Sequence, residues 1–133
     1  MESRLRSTFV ATLIAISLGL AAQSAAAKET QATSGESVII VIAEHFPTNF
    51  KIMKAIAKCE SGLVHRVNGK LLEGSQARGV FRVLVSVHGP EMERLGLDPN
   101  NDDDYMTYVK YLVDNFGLTP WAESKDCWQY AAG

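Results

Sequence analysis

The chain has 133 residues, of which 47% are hydrophobic and 21% charged, and its formal net charge is −2. That length bounds it to one domain around a single modest core. The near-neutral balance, with basic residues scattered along the chain, leaves no electrostatic footprint for nucleic acid or for an anionic membrane surface.

The first stretch reads as an export signal. Arg4 and Arg6 form a short basic region, residues 9–22 are an apolar run too short for a comfortable membrane span, and Ala25, Ala26 and Ala27 supply the small residues that a signal peptidase reads. Residues 1–27 are therefore expected to be a cleaved signal peptide. The mature protein is then exported, periplasmic or extracellular, with no stable membrane insertion after cleavage. Residues 28–36 are polar and unpatterned and read as a linker, which leaves the domain over 37–130.

In the run SVIIVIAEHF, at 37–46, the β-branched residues favour a buried strand, while the length and the serines at 34 and 37 favour a buried helix. A helix is expected. Pro47, Thr48 and Asn49 break it, and Thr48 or Asn49 is placed to cap the next one. There Ile52, Ile56, Cys59 and Leu63 recur at four-three-four spacing, one stripe facing a core, with Gly62 just past the helix end. Glu60 lies at the edge of that stripe, in the last turn. The negative end of the helix dipole disfavours a second negative charge there, so a carboxyl in this place is suited to proton donation. The plainer alternative is a surface glutamate.

Asn68-Gly69 and Gly74-Ser75 mark a loop region or small hairpin. Phe81, Val83, Val85 and Val87 alternate with Arg82, Leu84 and Ser86, the period of a strand. Gly89-Pro90 is expected to open a short helix, with Pro90 in its first turn and Gly96 at its end. Asp98, Asn100, Asp102 and Asp104 alternate like the start of a calcium loop, but Asp103 stands where glycine is needed and Val109 where the closing glutamate is needed. Asp102 or Asp103 instead reads as the cap of a helix running to Phe116, which would bury Met106, Val109, Leu112, Val113 and Phe116 before Gly117.

His45, His65 and His88 show no zinc spacing, and the chain has no nucleophile elbow, phosphate loop or paired Cys-x-x-Cys. No metal and no cofactor are expected. In an exported chain the two cysteines, Cys59 and Cys127, favour a disulfide tying the first core helix to the C-terminus; the alternative is two buried thiols. A bridge closing nearly seventy residues would contribute about 4 kcal/mol. Ser61, next to Glu60, can hydrogen-bond a substrate group. Phe81, Tyr105, Tyr108, Trp121 and Trp128 offer aromatic faces on which sugars stack, or else build the core.

Taken in order, AIAKCESG, NGKLLEG, ARGVF, a histidine with LGLDP, YVKYL and FGLTPWAESKDCW resemble the lysozyme-like lytic transglycosylase (SLT-type) domains of exported bacterial proteins, over about 38–128. The resemblance implies a mainly α, small lysozyme-like domain with a short loop or hairpin region and a glycan cleft. The substrate it implies is peptidoglycan glycan strands, cut between N-acetylmuramic acid and N-acetylglucosamine to a 1,6-anhydro product. Glu60 would be the acid and then the base, with Ser61, Phe81, Arg82, Tyr105 and Tyr108 as substrate-binding residues. It also turns the segment after Val80 from a strand into a cleft-lining turn followed by a helix. Two motifs depart from the family pattern: Arg82 replaces the glutamine of G-[LV]-[MF]-Q-[IL], and in N-[IL]-x-[YAG]-[AG] Tyr105 replaces the asparagine and Val109 the small residue. Arg82 paired with Glu60 would work against an acid role. The alternative is a catalytically impaired module that binds cell-wall glycan or an envelope protein partner. A plain hydrolase would need a second carboxylate, for which Glu73 and Asp102 to Asp104 are the weak candidates.

Overall fold

The apolar run at 37–46 folds as helix α1, Glu36–His45, in the computed structural model, which describes residues 31–132. Its β-branched residues do not draw it into a sheet, because Val38 and Ile42, one turn apart, are fully buried and Phe46 continues the same face. Helix α2, Phe50–Ser61, follows the break at 47–49. Asn49 takes its N-cap position without a side-chain capping bond. The buried face is Met53, Ile56 and Ala57, with Ile52 and Cys59 packed at its edge. Gly62 ends the helix at φ 65, its N–H bonding the Lys58 carbonyl at 2.9 Å, a left-handed turn that a residue without Cβ makes cheaply.

The expected signal peptide at 1–27 and the start of the expected linker lie outside the described residues. From Ala32 onward the linker reading is corrected. Ala32 is buried, and its N–H donates to Asp102 Oδ2 at 2.7 Å. The Thr33 carbonyl accepts from the N–H groups of His65 and Arg66, Ser34 bridges to Val64, and the Gly35 N–H bonds the Leu63 carbonyl. Backbone pairing fixes this run, so it needs no apolar pattern.

The hairpin region is two small antiparallel sheets. β1 (Arg66–Val67) pairs with β2 (Lys70–Leu71) around Asn68-Gly69, and β3 (Glu73–Gly74), β4 (Ala77–Arg78) and β5 (Val83–Leu84) pair in that order. The strand period after Val80 ends early. Residues 79–82 turn, β5 is brief, and helix α3, Val85–Arg94, starts well before Pro90, which sits inside it and cannot return a hydrogen bond. The alternation overstated the strand because Val87 is exposed and packs against nothing that would extend a sheet.

Helix α4, Asp102–Phe116, is capped by Asn101, whose Oδ1 accepts from the Asp104 N–H at 3.0 Å; Asp102, Asp103 and Asp104 fill its first turn, where the dipole favours them. Tyr105, Met106, Tyr108, Val109 and Leu112 are its buried face. Phe116, expected in the core, is exposed. The chain closes with a 3₁₀ segment (Thr119–Ser124), the short helix α5 (Lys125–Trp128) and a last 3₁₀ turn (Gln129–Ala132). The Cys59–Cys127 disulfide joins α2 to α5, its Cα atoms 6.1 Å apart. The domain is thus mainly α, with one disulfide, as its sequence suggests. Among the described residues no helix is long and apolar enough to cross a membrane.

One polar knot lies inside. Asp102 Oδ1 accepts from Arg66 Nε at 3.1 Å and Nη2 at 2.6 Å while Oδ2 holds Ala32; Arg66 Nη1 reaches the Gly69 carbonyl and Nη2 that of Asn100. His65, with no exposed surface, accepts the Val80 N–H on Nδ1 at 3.1 Å, which leaves its ring proton on Nε2, 3.2 Å from Asp102 Oδ1 but off the line of a hydrogen bond. Burial outweighs the neighbouring carboxylate and lowers the His65 pKa from 6.5 to about 4. The neutral ring is the folded form. The unfolded chain binds the proton first, so the stabilising contribution is present above pH 6.5 and is lost as pH falls toward 4, about 3 kcal/mol in all. Denaturant titrations from pH 7 to 4 are expected to show that loss, and His65→Gln to flatten it; a native chain with unchanged stability at pH 4.5 would refute the assignment.

Candidate active site

Glu60 reaches the surface at a cleft because α2 ends there and Gly62 turns the chain away. The walls of the cleft, about 380 Å³ in volume, come from two directions. Ser75, Ala77, Arg82 and Leu84 belong to the three-stranded sheet and its turns, while Pro120, Trp121, Glu123 and Ser124 belong to the closing 3₁₀ segment. Of the larger depressions, those of about 540 and 560 Å³ share no residue with it. One is lined by Arg66, Lys70 and Arg78 with Glu73, the other by Lys51, Lys54 and Lys58 beside Ile39 and Leu63. Neither contains a carboxylate held by a hydroxyl.

The Ser124 hydroxyl donates to Glu60 Oε1 at 2.6 Å, a length typical of a bond to a carboxylate. Ser124 is itself held by Trp128, whose indole N–H points at both Ser124 Oγ and the Trp121 carbonyl, each at 3.1 Å. The Trp121 indole N–H donates to the Phe81 carbonyl at 2.9 Å, and its ring meets Phe81 edge-on at 5.9 Å. The closing segment is therefore pinned both to the turn at 79–82 and, through the disulfide, to the helix that carries Glu60.

Arg82 lines the cleft but does not pair with Glu60. Its backbone is left-handed, at φ 54, and its guanidinium donates to the Gly74 carbonyl at 3.0 Å. Gly74 makes room for it, since a Cβ there would stand 2.6 Å from Arg82 Nη2. Ser61 lies outside the cleft, its hydroxyl bonded to the Ala57 carbonyl one turn back.

The other three proposed contacts need correction. Phe81, Tyr105 and Tyr108 are core residues, each at most 1% exposed, and none lines the cleft. Their rings satisfy the apolar stripe of α4 and the turn that packs on it. Tyr105 braces the turn at 79–82 from beneath. Its hydroxyl donates to the Arg78 carbonyl at 2.8 Å and accepts the Phe81 N–H at 3.1 Å, and Gly79 lies so close that a Cβ there would come within 2.7 Å of the ring. The Tyr108 hydroxyl meets His88 Nδ1 at 2.8 Å, and burial pushes its pKa up to about 12. Tyr105→Phe is expected to lower stability by about 1–3 kcal/mol in chemical denaturation, because it leaves the buried Phe81 N–H without an acceptor. Unchanged stability would mean that the bond is dispensable.

Of the weak candidates for a second carboxylate, Glu73 sits beside Arg78, Asp102 binds Arg66, Asp103 faces His45 and Asp104 accepts the Asp98 N–H, and none of them lines the cleft. The carboxylate that does line the cleft is Glu123, which the sequence reading passed over together with Ser124 and Ser75. A signal for Ser124 existed. It precedes Cys127 by about one turn, and Cys59 adjoins Glu60, so a Cys59–Cys127 bridge brings the serine to the glutamate. No protein family, characterised protein or solved structure was found to match the chain.

Proposed function

We propose that the chain is an exported lytic transglycosylase that cuts the N-acetylmuramic acid to N-acetylglucosamine bond of peptidoglycan, with Glu60 as its acid and base. The observation that carries the reading is Glu60 in an open cleft, held by a neutral hydroxyl rather than by a cation. An arginine or lysine bound to it would fix the carboxylate and remove the acid, whereas the Ser124 hydroxyl brings no charge to it.

The chemistry then runs through one group. Protonated Glu60 gives its proton to the glycosidic oxygen as the bond from that oxygen to the muramoyl C1 breaks, the electron pair leaving with the oxygen. The carboxylate next takes the proton of the C6 hydroxyl as O6 attacks C1, which closes the 1,6-anhydro ring and returns Glu60 to its acid form. No second carboxylate is required. The disulfide supports an oxidising, exported location.

A second reading, a module that binds wall glycan or an envelope protein without turnover, is favoured by Arg82, which brings a charge to the cleft where the domains that the sequence resembles carry an amide. Digestion of purified peptidoglycan by the oxidised mature chain, with products read by mass spectrometry, separates the possibilities. Anhydro-muropeptides support the transglycosylase. Hydrated reducing ends would replace it with a hydrolase in which Glu123 is the second carboxylate, and intact glycan with retained binding would favour the binding module.

A further inference from the structure

We propose that Ser124 is a positioning residue that dictates which oxygen of Glu60 carries the transferable proton. The proposal rests on the reading of Glu60 as the acid. An indole N–H can only donate, so Ser124 Oγ accepts from Trp128 and its own proton is free to point outward. Two acceptors lie within reach, Glu60 Oε1 at 2.6 Å and the Trp121 carbonyl at 3.3 Å, and the shorter contact wins. With Oε1 occupied as an acceptor, a proton arriving on the carboxyl is directed to Oε2. That oxygen makes no hydrogen bond among the described residues. Among the described residues His65 Nε2 is the one buried side-chain polar atom without a partner, so Oε2, which also has none, is not buried and opens to the cleft that Glu60 lines.

The arrangement is rigid where rigidity matters. Trp121 and Trp128 are both nearly buried, the Trp128 N–H bridges the serine to the backbone of Trp121, and Cys59–Cys127 ties the neighbours of Glu60 and Trp128 together. During the reaction Oε2–H releases its proton to the leaving oxygen, and the charge left on the carboxylate is met at Oε1 by the Ser124 O–H. Oε2 then collects the proton of the C6 hydroxyl. Ser124 exchanges no proton and contacts no reacting atom; it acts through Glu60.

The test compares the unmodified chain, Ser124→Ala and Ser124→Thr on purified peptidoglycan, scoring anhydro-muropeptide release and melting temperature. Ser124→Ala retains the Trp128 to Trp121 bond and so keeps the fold. It is expected to lower kcat by about 10²-fold, the scale of a misplaced catalytic group, with KM changed by less than about twofold. Ser124→Thr, which keeps the hydroxyl, should recover most of that loss. In a Glu60→Gln background Ser124→Ala should have no further effect, because the two residues act as one unit. Undiminished kcat in Ser124→Ala, or a loss carried by KM, would overturn the positioning role while leaving the transglycosylase reading intact. An unmodified chain that releases no anhydro products would overturn both.

Discussion

Glu60→Gln is expected to cut the release of anhydro-muropeptides by about 10²–10⁴-fold, the usual contribution of a general acid and base, while glycan binding persists. The substitution is nearly isosteric. A glutamine carbonyl still accepts the Ser124 O–H, so the link between α2 and the closing segment survives and the variant should melt close to the parent. On the proposed mechanism, what disappears is the proton that Oε2 gives and takes back. Melting temperature and glycan affinity are the controls, and turnover is the reading. Turnover within about threefold of the parent would remove Glu60 from the chemistry. Glu123→Gln sharpens the outcome: an anhydro-forming enzyme loses little by it, whereas a hydrolase that relies on two carboxylates loses nearly everything.

Breaking the Cys59–Cys127 bridge is expected to have the largest effect on stability. The cysteines are 68 residues apart in sequence, and closing a loop of that length lowers the entropy of the unfolded chain by an amount worth about 4 kcal/mol at 25 °C. For a domain of this size that corresponds to a fall in melting temperature of about 20 °C. Cys59→Ala combined with Cys127→Ala, or reduction of the parent chain, should show it in thermal and denaturant unfolding. The bridge closes a loop over about two thirds of the described domain, and a domain this small has little core to spare. A drop of less than about 1 kcal/mol would mean that the closing segment is held by Trp121 and Trp128 alone.

The fold class was legible in the sequence because its signals are local and redundant. The stripe around Ile56, the turn at Gly62 and the apolar spacing of Met106, Val109 and Leu112 each specify a helix without help from the rest of the chain. Where the reading failed, the deciding contact was distant. Nothing near Ala32 shows that its N–H will find Asp102 Oδ2, and nothing near Val83 shows that the alternating run will be abandoned for α3. The site divides in the same way. Glu60 announced itself by its place in the last turn of a helix. Tyr105 and Tyr108 looked like sugar platforms because composition reports that a ring is aromatic and not which way it faces; the helical period of α4 turns both inward. Ser124 was hidden by sequence distance, although the cysteine pair that resolves this distance was in plain view.

The Arg66 and Asp102 knot has a consequence for how this sequence can drift. One carboxylate fastens the N-terminal run, the first hairpin and the start of α4, and one guanidinium grips Asp102 Oδ1 through Nε and Nη2 while Nη1 holds the Gly69 carbonyl and Nη2 that of Asn100. Lysine, with a single ammonium, cannot reproduce that fork, and glutamate at 102 would displace three partners at once. Variation is therefore channelled away from this pair toward the exposed lysine face of α2 and the rim of the cleft, where a new side chain meets water on one side. Side chains can be exchanged there one at a time, while the knot permits change only when several positions move together.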